Sequence, residues 1–294
     1  MVQPLLLQRL NHPELVARNI RCSVWREDLN HPVISGNKWH KLAPWLALAA
    51  EQNKRGLMSF GGRHSNHLHA LAYAGHHCGF TTKGWVRGHP AEGMSPTLAD
   101  CLRWGMEVIF VSRARYRQRH GPEWRRCAEQ QWPDFVFIPE GGTSPIAVEA
   151  VRQWGLELWG KLPSGTTLLV PVGSGGTYAG LALSAPSVQR IIAVPVFKQP
   201  EATLRSLQHH YDLPGGQCWP AAGRGFGRNS AEEIAFGRFF QTHFGVPLEP
   251  VYNLKVAYVF WQRLMRNELP TGSQWVLLHT GGLQGRRGTE LSAS

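Results

Sequence analysis

The sequence predicts an α/β fold with parallel sheets and helices on both faces, organised as two domains. Three observations carry this. Short apolar, β-branched runs alternate with helix-length amphipathic stretches along most of the chain. A length of 294 residues exceeds a typical single domain. Four strand ends run into loops that hold adjacent glycines, and such carboxyl-end corners are where open parallel sheets bind ligands.

The elements follow in order. Residues 56–60 read as a strand, leading through Gly61-Gly62 into a helix over 65–77. A strand at 82–86 precedes a helix over 95–104, and further strands are expected at 108–111 and 135–139. Residues 146–159 carry a helical pattern. The run 167–172 is a buried strand, followed by a glycine-rich turn and a helix from Thr177. Strands are expected again at 190–196 and 275–279. Ser230 and Glu233 form a capping-box pattern ahead of an apolar stripe, and Pro247 and Pro250 separate that helix from another over 252–266. The expected division is a larger domain of residues 1–42 plus 152–294 and a smaller one of 43–151.

Composition narrows the function classes. The chain is 43% hydrophobic and 17% charged, which suits a packed core and excludes disorder. Trp45, Trp104, Trp154 and Trp261 fall in helical patterns and are expected in the core or at an interface. The formal net charge of +11 favours anionic ligands. Only residues 113–126 are densely basic, with Arg113, Arg115, Arg117, Arg119, Arg125 and Arg126; without a nucleic-acid motif this reads as a solvated helix face. Nucleic acid is therefore not an expected partner. Five cysteines without a C-x-x-C pair support neither a disulfide framework nor a metal site, and a cytoplasmic setting is expected. Residues 1–10 lack the pattern of a signal peptide, and no apolar run is long enough to span a membrane.

The corners carry the chemistry. Gly173, Ser174, Gly175, Gly176 and Thr177 follow an apolar strand and open a helix, so close-approaching backbone, unpaired amides and hydroxyls suit a phosphate. The segment lacks a P-loop lysine and does not match G-x-G-x-x-G. In Ser35-Gly36-Asn37-Lys38-Trp39-His40-Lys41-Leu42, a lysine acting as a covalent nucleophile needs desolvation or a nearby cation, and Lys41 lies one helical turn from Lys38. Taken alone, this pair reads as ordinary surface lysines. Ser65 and Asn66 sit where a helix begins, in position either to cap it or to help bind a carboxylate. Thr280, beside Gly281-Gly282, suits a ring nitrogen or a turn cap equally.

Taken together, the segments resemble the pyridoxal-phosphate enzymes of the tryptophan-synthase-like fold (fold type II), in the branch of 1-aminocyclopropane-1-carboxylate deaminase and D-cysteine desulfhydrase. The matches, in order, are G-N-K-x-x-K-L at 36–42, G-G-x-x-S-N-H at 61–67, G-S-G-G-T-x-A-G-L at 173–181 and H-T-G-G at 279–282, with a weaker one at 249–252. The resemblance implies pyridoxal 5'-phosphate as cofactor and a lyase or deaminase acting on a small amino acid, desulfhydrase-like, that releases keto acid and ammonia. It implies Lys38 as Schiff-base lysine and proton shuttle, and Lys41 and 174–177 as phosphate contacts. Asn66 is implied at the cofactor 3-hydroxyl and Thr280 at the pyridine nitrogen. Ser65, Asn66, His67 and Tyr252 are implied on the substrate side, Ser65 and Tyr252 with catalytic roles. A homodimer is likewise implied, and no metal.

Three positions depart from the family pattern. Asn253 stands where aminocyclopropane deaminases carry a carboxylate after the motif tyrosine. Phe226 aligns with a second active-site tyrosine, and G-G-S-N reads Gly141-Gly142-Thr143-Ser144. Aminocyclopropane deaminase activity and a weakened, ligand-binding relative therefore stand as alternatives to the desulfhydrase reading.

Overall fold

The computed structural model describes residues 6–291. The chain forms two compact units, Met1–Asn37 with Val148–Ser294, and Lys38–Ala147. These bounds differ from those expected at 42/43 and 151/152. Lys38 opens a helix, Lys38–Glu51, whose buried residues Leu42, Trp45, Leu46 and Ala49 belong to one rigid element, so 38–42 group with the rest of it.

The larger unit opens with β1 (Leu7–Leu10), α1 (Pro13–Ala17) and β2 (Arg21–Arg26). The smaller unit follows as α2 (Lys38–Glu51), β3 (Gly56–Gly62), α3 (Asn66–Cys78), β4 (Thr81–Arg87), α4 (Pro96–Arg103), β5 (Glu107–Val111), α5 (Arg113–Arg117), α6 (Pro122–Gln131) and β6 (Phe135–Phe137). After α7 (Pro145–Lys161) the larger unit continues with β7 (Thr166–Val172), α8 (Gly176–Ser184), β8 (Arg190–Pro195), α9 (Glu201–Tyr211) and β9 (Gln217–Cys218). It ends with α10 (Ala231–Phe244), α11 (Asn253–Met265) and β10 (Gln274–His279).

The larger unit's sheet runs β1-β2-β10-β7-β8-β9, parallel except for the edge pair β1–β2. Its central strands are buried on both faces, which is why they read as unbroken apolar runs. In β7, Leu169 joins a core with Phe240, Leu254 and Phe260, whereas Leu168 and Val170 join another with Trp154, Leu158 and Leu181. β10 alternates likewise, Trp275 and Leu277 to the first core and Val276 and Leu278 to the second. Each such leucine contributes about 2 kcal/mol by burial. At α10 the capping box forms as expected, with Ser230 Oγ accepting from Glu233 N and Glu233 returning to Ser230 N.

The smaller unit has a four-stranded parallel sheet, β5-β4-β3-β6. Met58, Phe60, Trp85, Tyr116, Phe135 and Phe137 cluster in its core, with the Phe60 and Trp85 rings stacked at 4.9 Å. Ser65 caps α3 and Gly79, at φ 77°, ends it.

The basic stretch is not a single helix face. Gly121 and Pro122 break it between α5 and α6, because proline suits a helix start and not its interior. Trp45 and Trp154 are buried; Trp104 and Trp261 are partly so. Among the described residues, no helix is long and apolar enough to cross a membrane.

Both sheets reverse direction once. In the larger unit, β7, β8 and β9 build outward on one side, and β10 then inserts on the other side of β7. In the smaller, β3, β4 and β5 build outward, and β6 returns to the far side of β3. Such a reversal opens a crevice at the carboxyl ends of the two strands that flank it. All four glycine corners fall at these points: 172–177 and 279–282 in the larger unit, 61–66 and 140–144 in the smaller.

Candidate active site

In the larger unit, β7 delivers the chain to Gly173, where a Cβ would lie 2.9 Å from the Tyr252 ring. Gly175 takes φ +87°, and a Cβ there would lie 2.2 Å from Leu207. It is also the N-cap of α8, with no side-chain cap on the helix's first amides. Those amides and the positive end of the helix form a cradle for an anion. Thr177 Oγ1 accepts from Asn37 Nδ2 at 2.7 Å, which leaves the hydroxyl hydrogen to donate.

The neighbouring corner is set by backbone against backbone. A Cβ on Gly36 would lie 1.9 Å from Thr280 O, and one on Gly281 would lie 2.2 Å from Ser35 O. Both have positive φ. The glycines of G-N-K and H-T-G-G are thus two halves of one close approach. Asn253 fastens the turn: its Oδ1 accepts from Thr280 N at 2.9 Å and Thr280 Oγ1 at 3.1 Å, and its Nδ2 donates to Gly281 O at 2.8 Å. An amide supplies both donor and acceptor here; a carboxylate would face Gly281 O with no hydrogen to give.

His279, the first residue of H-T-G-G and given no role by sequence, braces the same turn. Its Nε2 lies 2.8 Å from Pro247 O, and its Nδ1 lies 3.2 Å from Gly281 N and 3.3 Å from Asp28 Oδ1. Burial lowers its pKa, against an opposing pull from Asp28. Asp28 is held by Arg26 through contacts of 2.8 and 2.7 Å. No motif marks Arg26 or Asp28, because a buried charged pair leaves no periodic signature.

In the smaller unit, Ser65 Oγ accepts from Leu68 N at 3.2 Å and so caps α3, and Asn66 and His67 form the helix's first turn. His67 Nε2 lies 2.8 Å from Ser59 Oγ. Its Nδ1 is buried and lacks a hydrogen-bond partner among the described residues. Lys41 is fully enclosed, its Nζ donating to Gly141 O and to Thr143 Oγ1, the latter at 2.9 Å. Gly142, at φ +71°, places its missing Cβ 3.3 Å from His67 Cε1. Burial first, then the charge of Lys38, holds Lys41 well below the usual lysine range. His67 is likewise held well below its usual value, by burial and then by Lys41 and Lys38.

The expected residues therefore divide into two groups. Lys38, Lys41, Ser65, Asn66 and His67 lie in the smaller unit; residues 173–177, Tyr252 and Thr280 lie in the larger. Phe226 is about half exposed (53%), its ring edge-on to Tyr252 at 5.9 Å.

Residues 7–281 match the family model described as pyridoxal-phosphate dependent enzyme. The chain belongs to this family. It is a pyridoxal-phosphate-dependent enzyme, and relatives of the family lie along its whole length. The bifunctional D-cysteine desulfhydrase/1-aminocyclopropane-1-carboxylate deaminase of Arabidopsis thaliana is 26% identical, over 96% of this chain and 77% of that protein. The D-cysteine desulfhydrase of Yersinia enterocolitica is 22% identical, over 87% of this chain and 85% of that one. Among solved structures, that of an ACC deaminase homologue superposes with a TM-score of 0.84 at 22% identity, covering 100% of this chain and 95% of that one. A pyridoxal 5'-phosphate-dependent aspartate racemase follows at 0.70 and 14% identity, covering 95% and 90%. The fold is that of fold-type II pyridoxal-phosphate enzymes.

The groups present fit this cofactor. A phosphate needs several converging N–H and O–H donors, which the uncapped start of α8 and Thr177 offer. An aldehyde needs an amine, which Lys38 supplies, one helical turn from the buried Lys41. Among the described residues no group of three or more His, Cys, Asp and Glu could hold a metal ion.

Proposed function

We propose that this enzyme is a lyase or deaminase of small amino acids, desulfhydrase-like, releasing keto acid and ammonia. The observation that carries the reading is the furnishing of the two strand reversals: an anion cradle in one unit, and in the other two lysines beside a buried neutral histidine. The names of the relatives point the same way and support aminocyclopropane deamination equally.

When bound, pyridoxal phosphate supplies an aldehyde that bonds an amine and a ring that draws electrons from the substrate α-carbon. Lys38 is the residue we assign to that bond, and its amine would also be the group that moves a proton. Gly173, Ser174, Gly175, Gly176 and Thr177 would hold the phosphate. Lys41 is the further residue we assign to the phosphate, and a bound anion would offset the cost of burying its ammonium. Asn66 and Thr280 orient the ring. Ser65, His67 and Tyr252 serve the substrate, Ser65 and the start of α3 receiving its carboxylate. His67 stays neutral and so adds no competing charge.

One observation favours a weakened relative as the second reading. Phe226 presents an apolar ring to Tyr252 where a phenol would add a donor. A panel of D- and L-amino acids, assayed for keto acid and ammonia on cofactor-loaded protein, separates the two. Turnover of any member removes the second reading. Borohydride should fix a visible chromophore onto Lys38; protein that stays colourless with added cofactor removes both. We also place the enzyme in the cytoplasm, in keeping with five free cysteines, and as a homodimer, which sedimentation velocity tests.

A further inference from the structure

Two members of the basic segment turn away from solvent. Tyr116 is buried, and its hydroxyl donates to Glu140 Oε1. Arg119 Nε donates to Glu140 Oε2, and its guanidinium lies 4.4 Å over the Tyr116 ring. Arg87 approaches the same ring at 5.7 Å, and His120 Nε2 lies 3.8 Å from Oε2. Burial, and next the charge of Glu140, push the Tyr116 hydroxyl far above its ordinary range, so it is a permanent donor.

Glu140 begins the turn 140–144 at the strand reversal of the smaller unit. Gly141 and Gly142 both take positive φ, 69° and 71°, a consecutive pair that only glycines adopt readily and that loses much backbone freedom on ordering. The turn is therefore held from outside. Lys41 ties Gly141 and Thr143, and Ser144 Oγ accepts from Ala147 N at 3.3 Å as α7 begins. Tyr116 and Arg119 supply the remaining anchor, at Glu140. With a donor on each oxygen, that carboxylate is equipped to hold its own backbone in place.

We propose that Glu140 is a positioning residue for substrate recognition, clamped by Tyr116 and Arg119 so that the turn 140–144 is set before the amino acid arrives. This rests on the functional reading above, in which the smaller unit's reversal serves the substrate. It gives the arginine-rich segment a task beyond solvation.

The test uses cofactor-loaded Tyr116→Phe and Arg119→Gln, with Arg119→Lys as the conservative variant and Glu140→Gln should either fail to fold. The first two should raise KM for the best amino acid of the panel about tenfold, the worth of one charged hydrogen bond. Cofactor affinity, the visible absorbance and kcat should not move. Arg119→Lys should recover part of the loss, and Glu140→Gln, which keeps an acceptor for Tyr116, should fall between. An unchanged KM in these variants, or loss of the cofactor band alongside kcat, overturns the clamp. Wild-type protein that takes up no cofactor would instead remove the functional reading, and this proposal with it.

Discussion

Both sheets reverse their strand order beside a pair of glycine corners, yet the two units furnish that place with different materials. In the larger unit the reversal is lined by backbone: the amides that open α8, the Gly36–Gly281 approach, and an asparagine spent on turn carbonyls and amides. In the smaller it is lined by side chains: Lys38 and Lys41, the neutral His67, and Ser65 at the head of α3. Backbone donors have fixed direction and no titration, which suits an anion that stays put. Side chains can lose and regain protons, which suits chemistry. On the function proposed above, one topology would thus serve as a holding half and a reacting half.

The comparison breaks first at Lys38. Lys38→Ala should cut turnover by about a thousandfold or more, within the range of a lost proton-transfer group, while leaving thermal stability unchanged. Retained activity would mean that the smaller unit is not the reacting half. Next comes Gly175→Ala in the holding half. It adds a left-handed penalty of about 1–2 kcal/mol and an overlap with Leu207 of about 1–3 kcal/mol. Cofactor Kd, read by absorbance titration, should rise more than tenfold, while KM at saturating cofactor holds. A smaller change is expected for Asn253→Asp, which sets a carboxylate against Gly281 O; urea unfolding should show a loss of about 2 kcal/mol.

Protons sharpen the contrast. The folded pKa of His67 lies below its unfolded value of 6.5. The unfolded chain therefore binds the extra proton first, and the stability from keeping His67 neutral is complete above about pH 6.5 and lost as the pH falls below it. The slope per group is at most about 1.4 kcal/mol per pH unit. Urea midpoints of wild type and His67→Asn between pH 7.5 and 5 should converge toward acid. Parallel curves would mean that His67 does not titrate as described. The smallest effect belongs to the exposed Arg125–Glu129 pair of α6: Arg125→Ala should shift stability by no more than about 0.5 kcal/mol.

Much of this was legible in the sequence because it is periodic or glycine-marked. β3, β4, β5, β7, β8 and β10 lie where apolar runs place them, to within a residue or two. Ser65, Ser95 and Ser230 cap helices as their positions suggest. β1 and β2 were not foreseen: β1 is a short edge strand, and β2 ends in Arg26, a buried charge that reads as surface. Strand order is a long-range property and leaves no local trace, so the sorting of four corners into two pairs needed coordinates. Buried polar bracing by His279, Asp28 and Asn253 was equally hidden, since a satisfied polar core residue and an exposed one look alike in sequence. The four motifs mark their own residues in the sequence; Glu140 lies outside them all.

At positions 36 and 281 the chain admits hydrogen and nothing larger, because each faces the backbone of the opposing segment. A saturation library at either should return only the parent codon. Changing both together should rescue nothing, because the obstruction at each is the opposing peptide and not a side chain. Backbone alone thus fixes those two places, while the side chains of Asn253 and His279 hold the turn around them.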